Sequence, residues 1–139
     1  MSNAAETPKV ADGFDAIRAR YVELTGKVPP SIETRIEVNK QAGRLDAVEA
    51  IEEHRQVLIM NNPLGRKFGQ LVHFSQLVAL GDASPARLHA RSAFKAGATV
   101  SELVGVAELS LITSGIPAYS LAIEIIGELL EEESGSQAE

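Results

Sequence analysis

Three side chains in the middle of the chain have the chemistry of an acid–base site: Gln70, His73 and His89. On a helix a three-residue step puts two side chains on the same side, so Gln70 and His73 would present an amide and an imidazole together. His89 lies in "SPARLHARSAFKAG", residues 84–97, where Ala86, His89, Ala90 and Ala93 share one strip at three- and four-residue steps. Small residues on that strip let a neighbouring helix come close, with His89 as its only functional group. An imidazole so placed is expected to titrate near neutrality and to shuttle a proton. If the two helices pack together, Gln70, His73 and His89 form a cluster able to bind an oxyanion or pass a proton. The competing reading is structural: a core histidine satisfied by one hydrogen bond, a partly exposed His73 and a structural Gln70.

Glu108 sits in the middle of the apolar "VGVAELSLI", where a carboxylate is costly unless paired or protonated. It reads equally as a site residue or as a group facing solvent at a subunit rim. Glu124, in "LAIEII", carries the same ambiguity with less reason for a function. His54, beside Glu52, Glu53 and Arg55, reads as part of a solvated helix face. No His-x3-His pair or carboxylate–histidine pair stands at a strong ligand spacing, so no metal is expected. There is no phosphate-cradling glycine loop and no nucleophile elbow. With no cysteine in the chain, disulfides, thiolate metal sites and thiol-based peroxide chemistry are excluded.

These groups must be positioned by helices, because strand signals are nearly absent while helix punctuation recurs. Asp12 is expected to cap "GFDAIRARYVELTG", whose Phe14, Ile17, Tyr21 and Leu24 repeat at helical steps and which Gly26 closes. Pro29, Pro30 and Ser31 open "IETRIEVNKQAG". Asp46 with Glu49 reads as a capping box before "AVEAIEEHRQVLIM", which Asn-Asn-Pro at 61–63 ends. "LGRKFGQLVHFSQLVAL" is expected to be a central helix walled by others and stopped by Gly81. Ser84 and Pro85 form an N-cap and first-position pair for the His89 helix, with Gly97 just past its end. Thr99 and Glu102 form a second capping box, and Pro117 starts a last helix through "AYSLAIEIIGELLEE".

That count gives seven helices, an all-α fold of one domain. At 139 residues, against roughly 100–200 per domain, one hydrophobic core is expected. The domain is placed at 11–131, between a flexible N-terminus at 1–10 and a disordered acidic tail at 132–139; Ser2-Asn3-Ala4 reads either as a cloning remnant or as native. The composition, 45% apolar and 23% charged, is that of a globular protein. Net charge is −6 and the basic residues are scattered singly, which argues against nucleic acid as partner. No apolar run of membrane-spanning length and no signal-peptide pattern is seen, so a cytoplasmic protein with no membrane partner is expected. The last two helices are too apolar to leave a face in water, which points to burial between subunits of a homo-oligomer.

The run "ALGDASPARLHARSAFKAGATVSELVGVAELSLITSGIPA", residues 79–118, resembles the carboxymuconolactone decarboxylase family, which also contains the alkyl hydroperoxidase D-like proteins. The matching words are "ALG", the histidine helix followed by "AGAT", then Glu-Leu, then "GIPA". "ARYVELTGKVPPSIETR" at 19–35 also looks like the N-terminal helices of decarboxylase-like members. The resemblance is firm from 66 to 126 and looser before that. It implies an all-helical fold of six to seven helices around an antiparallel helix pair, assembled as trimers or hexamers.

In the hydroperoxidase branch a Glu, two Cys and the His stand at fixed spacings. Counted back from His89, the Cys positions hold Pro85 and Asp82 and the Glu position holds Gln70. The resemblance to the decarboxylase branch implies a carboxy-lyase acting without a cofactor on a small anionic lactone, in the degradation of aromatic compounds. His89 would then donate a proton or stabilise an enolate. His73 or Gln70 would hold the lactone carbonyl or carboxylate, Arg66 or Arg91 would anchor the anion, and Glu108 would replace the missing acid. The alternative is a family member whose pocket binds a ligand without converting it.

Overall fold

The computed structural model describes residues 13–137. Seven α-helices follow one another: α1 (Asp15–Thr25), α2 (Pro30–Gln41), α3 (Leu45–Arg55), α4 (Gly65–Leu80), α5 (Ala83–Lys95), α6 (Val100–Ser114) and α7 (Ile116–Ser136). Between α3 and α4 the chain winds on as a wider π-helical turn, Gln56–Met60. No strand occurs among the described residues. The all-α expectation holds, and no helix is long and apolar enough to cross a membrane.

The helices that carry Gln70, His73 and His89 are α4 and α5. Gly81, in the left-handed region at φ 73°, ends α4. There the Asp82 N–H donates to the Leu77 carbonyl at 3.0 Å and the Gly81 N–H to that of Val78 at 3.1 Å, which satisfies two carbonyls left over at the helix end. The chain reverses in two residues, so α5 returns antiparallel along α4. Ala86, Ala90 and Ala93 are fully buried against the Phe74 and Val78 side of α4. The alanine strip does what its spacing predicts, bringing the two helices close.

Around this pair, α6 and α7 complete one apolar cluster that includes Leu71, Leu103, Ile125 and Leu129. Contrary to the single core expected, a second cluster forms from Phe14, Ile17, Tyr21, Ile32, Ile36 and Val48 on α1, α2 and α3. These helices carry few large aliphatic residues, and α3 buries only Val48 and Glu52. They wrap a small core of their own and join the larger one where α1 packs on α5.

Several helix ends differ from the sequence reading. The Thr99–Glu102 capping box is present, with both reciprocal hydrogen bonds, and Glu102 also accepts from Lys67 of α4 at 3.0 Å. The Asp46 box is not: α3 begins two residues earlier, and Asp46 lies inside the first turn, 3.8 Å from Arg44. Likewise α5 starts at Ala83, which places Ser84 and Pro85 inside its first turn. Proline is tolerated there because the first-turn N–H groups have no intrahelical partner. The tail expected to be disordered from 132 is helical through Ser136, held by Glu132 bonding Arg91 at 2.7 Å. Asp12, the expected cap of α1, and the stretch 1–10 lie outside the described residues.

Candidate functional site

Gln70 and His73 project from α4 towards α5, and His89 meets them from the other side. His73 lies eight residues before Gly81 and His89 eight after it, about 12 Å from the turn along each helix, so the antiparallel reversal brings them level. Their ring centroids are 4.5 Å apart at an interplanar angle of 40°. One turn back on α4, Gln70 Oε1 lies 2.6 Å from His89 Nδ1. An amide oxygen only accepts, so Nδ1 carries the proton and donates it to Gln70. In the neutral ring this leaves the Nε2 lone pair as the basic site.

Gln70 is 2% exposed and His89 8%. No fully buried side-chain nitrogen or oxygen lacks a partner among the described residues, so Nε2 of His89, which has none, retains contact with solvent. Gln70 and His73 line a cleft of about 170 Å³ whose opposite wall is Leu58, Ile59 and Asn62 from the π turn and its end. That is below the ~300–1,000 Å³ of pockets for drug-sized ligands and suits a small ring.

Electrostatics here depart from the expectation of a histidine titrating near neutrality. Burial, then the neighbouring His73, then the charge of Arg55 push His89 down to about 4. His73 is lowered too, by burial and by Arg55. Both rings are thus neutral at neutral pH, and positive charge in the site comes from Arg55.

His89 does not itself line this cleft but touches Gln70 and His73, which do, and none of the other residues singled out in the sequence lines it either. Arg66 is exposed and bonds Glu23 at 2.8 Å; Arg91 is taken by Glu132. Glu108 is exposed on α6, at a broad open groove shared with Leu71, Leu109, Ile112 and Tyr119. Glu124 is exposed as well, 3.9 Å from Arg87. Among the described residues no group of three or more His, Asp or Glu could hold a metal ion.

His54 is exposed as expected, but beside it α3 turns a polar cluster inward where the sequence suggests only a solvated face. Glu52 is buried, with Oε1 accepting from the Tyr21 hydroxyl at 2.9 Å and from Arg35 at 3.0 Å. Burial raises the Tyr21 phenol above its ordinary value, with Arg55 opposing and Glu52 adding to the rise. Arg20 bonds Gln56 at 3.1 Å, and Arg55 sits over the Tyr21 ring, 5.7 Å from its centroid. A signal was available: Glu52 stands four residues after Val48, on the strip of α3 that also carries Leu45.

Comparison with known proteins agrees with this architecture. A family model described as the carboxymuconolactone decarboxylase family matches residues 46–128, from α3 into α7. No curated protein matches. A crystal structure from Burkholderia xenovorans LB400, described as a "putative carboxymuconolactone decarboxylase", superposes with a TM-score of 0.69 at 21% identity, over 88% of this chain and 95% of that one. At that identity the likeness speaks for the fold. The family match covers more than half of the chain and contains Gln70, His73 and His89, and on it the chain belongs to the carboxymuconolactone decarboxylase family.

Proposed function

We propose that the protein is a carboxy-lyase acting without a cofactor on a small anionic lactone, with Gln70, His73 and His89 as its working groups. The observation that carries this reading is the 2.6 Å contact of Gln70 with His89 beside the His73 ring, at the wall of a cleft sized for one small ring. Decarboxylation breaks the bond between the ring carbon and its carboxylate. CO2 leaves, the electron pair passes into the conjugated lactone carbonyl as an enolate, and a proton is delivered to carbon. Neither imidazole holds a spare proton at neutral pH, so one must enter with the substrate anion, whose negative charge raises the pKa of a nearby imidazole. His73, the more exposed ring, is placed to take it up. Gln70 keeps the His89 tautomer fixed, with Nε2 left to accept or return a proton.

The test is CO2 release from carboxymuconolactone. His89→Ala and His89→Gln are each expected to lower kcat/KM by about 100-fold or more, the scale of a lost general acid–base. Unchanged turnover in both variants would sink the mechanism. A second reading, a binding protein that does not convert its ligand, draws on Gln70 standing where the resemblance leads one to expect a carboxylate. Binding of the lactone without CO2 release would favour it. We further propose that the chain works as a homo-oligomer, a trimer or hexamer, because it leaves large aliphatic residues of α6 and α7 in water.

A further inference from the structure

Among the described residues Arg55 is the one cation that acts electrostatically on both imidazoles, and its own bonding is incomplete. Its side chain is two-thirds buried, at 33% exposure, yet no acceptor among the described residues lies within hydrogen-bonding distance of its guanidinium. The nearest carboxylate oxygen, Glu52 Oε2, is 4.0 Å away, and the other oxygen of Glu52 is occupied by Tyr21 and Arg35. Arg35 and Arg20, its cationic neighbours, do have acceptors. Because no fully buried side-chain nitrogen lacks a partner among the described residues, the donors of Arg55 stay in contact with water on a half-buried side chain, free to be taken by a carboxylate.

Its place in the fold supports this. Arg55 is the last residue of α3, and the π turn begins directly after it. Ile59 of that turn lines both the pocket of Arg55, Tyr21 and Glu52 and the cleft of His73 and Gln70, so the two adjoin there, with Arg55 itself on the wall of the first. π turns widen the helix and recur at functional sites, and here the wider turn lets the end of α3 and the start of α4 share one wall.

We propose that Arg55 is the anion anchor of the histidine cleft, binding the carboxylate of the substrate in the role that the sequence reading gave to Arg66 or Arg91. This rests on the reading of the cleft as a substrate site. Glu52 and Tyr21 act as positioning residues: the buried carboxylate attracts the guanidinium without using its donors, and the phenol ring supports its face. The anchor selects for a planar carboxylate on the ring, because a guanidinium takes one in a two-bond fork.

The experiment is a titration of the full chain with γ-carboxy-γ-butyrolactone and, separately, its neutral methyl ester, following the His73 and His89 ring signals by NMR. In the wild type the carboxylate should shift both signals, and the ester should bind at least 10-fold more weakly. Arg55→Gln should weaken carboxylate binding at least 10-fold and leave ester binding unchanged. Arg55→Lys, which keeps the charge and loses the fork, should fall between the two, and Lys40→Gln, on an exposed face of α2, should match the wild type. A wild type whose imidazoles ignore the carboxylate, or an Arg55→Gln variant of unchanged helicity that binds it normally, would overturn the anchor. The two proposals separate cleanly. Arg55-dependent binding without CO2 release from carboxymuconolactone keeps the anchor and removes the lyase; normal CO2 release in Arg55→Gln does the reverse.

Discussion

A glutamine in contact with a buried histidine fixes a tautomer and adds no charge. Gln70 accepts the His89 Nδ1–H at 2.6 Å, yet the amide does nothing to hold the proton that a second protonation would add. Burial therefore goes unopposed, and His89 sits at about 4. The consequence for stability has a definite sign. A histidine whose pKa is lower folded than unfolded stabilises the fold fully above the unfolded value of 6.5, and loses that contribution as pH falls from there towards about 4. At roughly 1.4 kcal/mol per unit the loss attributable to His89 is about 3 kcal/mol, to be read from urea unfolding at pH steps across that window. Gln70→Glu places a carboxylate on the same nitrogen and should raise the His89 pKa by at least about one unit in an NMR titration, with a smaller acid loss of stability. An unmoved His89 pKa in that variant would show that the 2.6 Å contact does not control the ring.

At the scale of elements, the site depends on ends and turns more than on helix interiors. The Gly81 reversal sets the level at which α5 meets α4, and the π turn after Arg55 supplies the facing wall of the cleft. The capping box at Thr99 starts α6 on the far side of α4, with Lys67 tying the two through Glu102. Thr99→Ala should cost about 1 kcal/mol in urea unfolding, the usual worth of a working N-cap. Asp46→Ala, at the box that the sequence suggests and the fold does not form, should cost less than about 0.5 kcal/mol. Equal effects would mean that the cap geometry does not set the stability of α6.

At the level of the whole molecule, the described residues form two apolar clusters and leave a surface still rich in aliphatic residues. Leu109 is 72% exposed and Ile112 81%, beside one another on α6 at the groove that also holds Glu108. Ile116 and Phe68 add to the apolar surface left in water. Patches of this kind usually mark an interface, and the proposed homo-oligomer would cover it. The double variant Leu109→Lys, Ile112→Lys should dissociate that assembly in light scattering coupled to size exclusion while helical content stays at the wild-type level. A wild type that runs as a monomer removes the proposal.

Much of this molecule is written locally. Helical steps of apolar residues, a glycine at each sharp end and one intact capping box are short-range features, so the seven helices can be read from the sequence to within a few residues. Even the meeting of His73 with His89 follows from their equal distance to Gly81, and the lack of cysteine excludes thiol chemistry without any structure. What the sequence left open concerns partners far apart along the chain. Tyr21 and Glu52 are 31 residues apart, Arg66 and Glu23 43, Arg91 and Glu132 41, and no local pattern encodes which charge finds which. Such pairings are set by how helices pack. Packing took Arg66 and Arg91 away from the cleft, left Glu108 in solvent, and turned an apparently solvated face of α3 inward to bring Arg55 into electrostatic reach of the histidines. Burial, equally a product of packing, made His89 a neutral ring at the pH where its unperturbed chemistry would have it titrate.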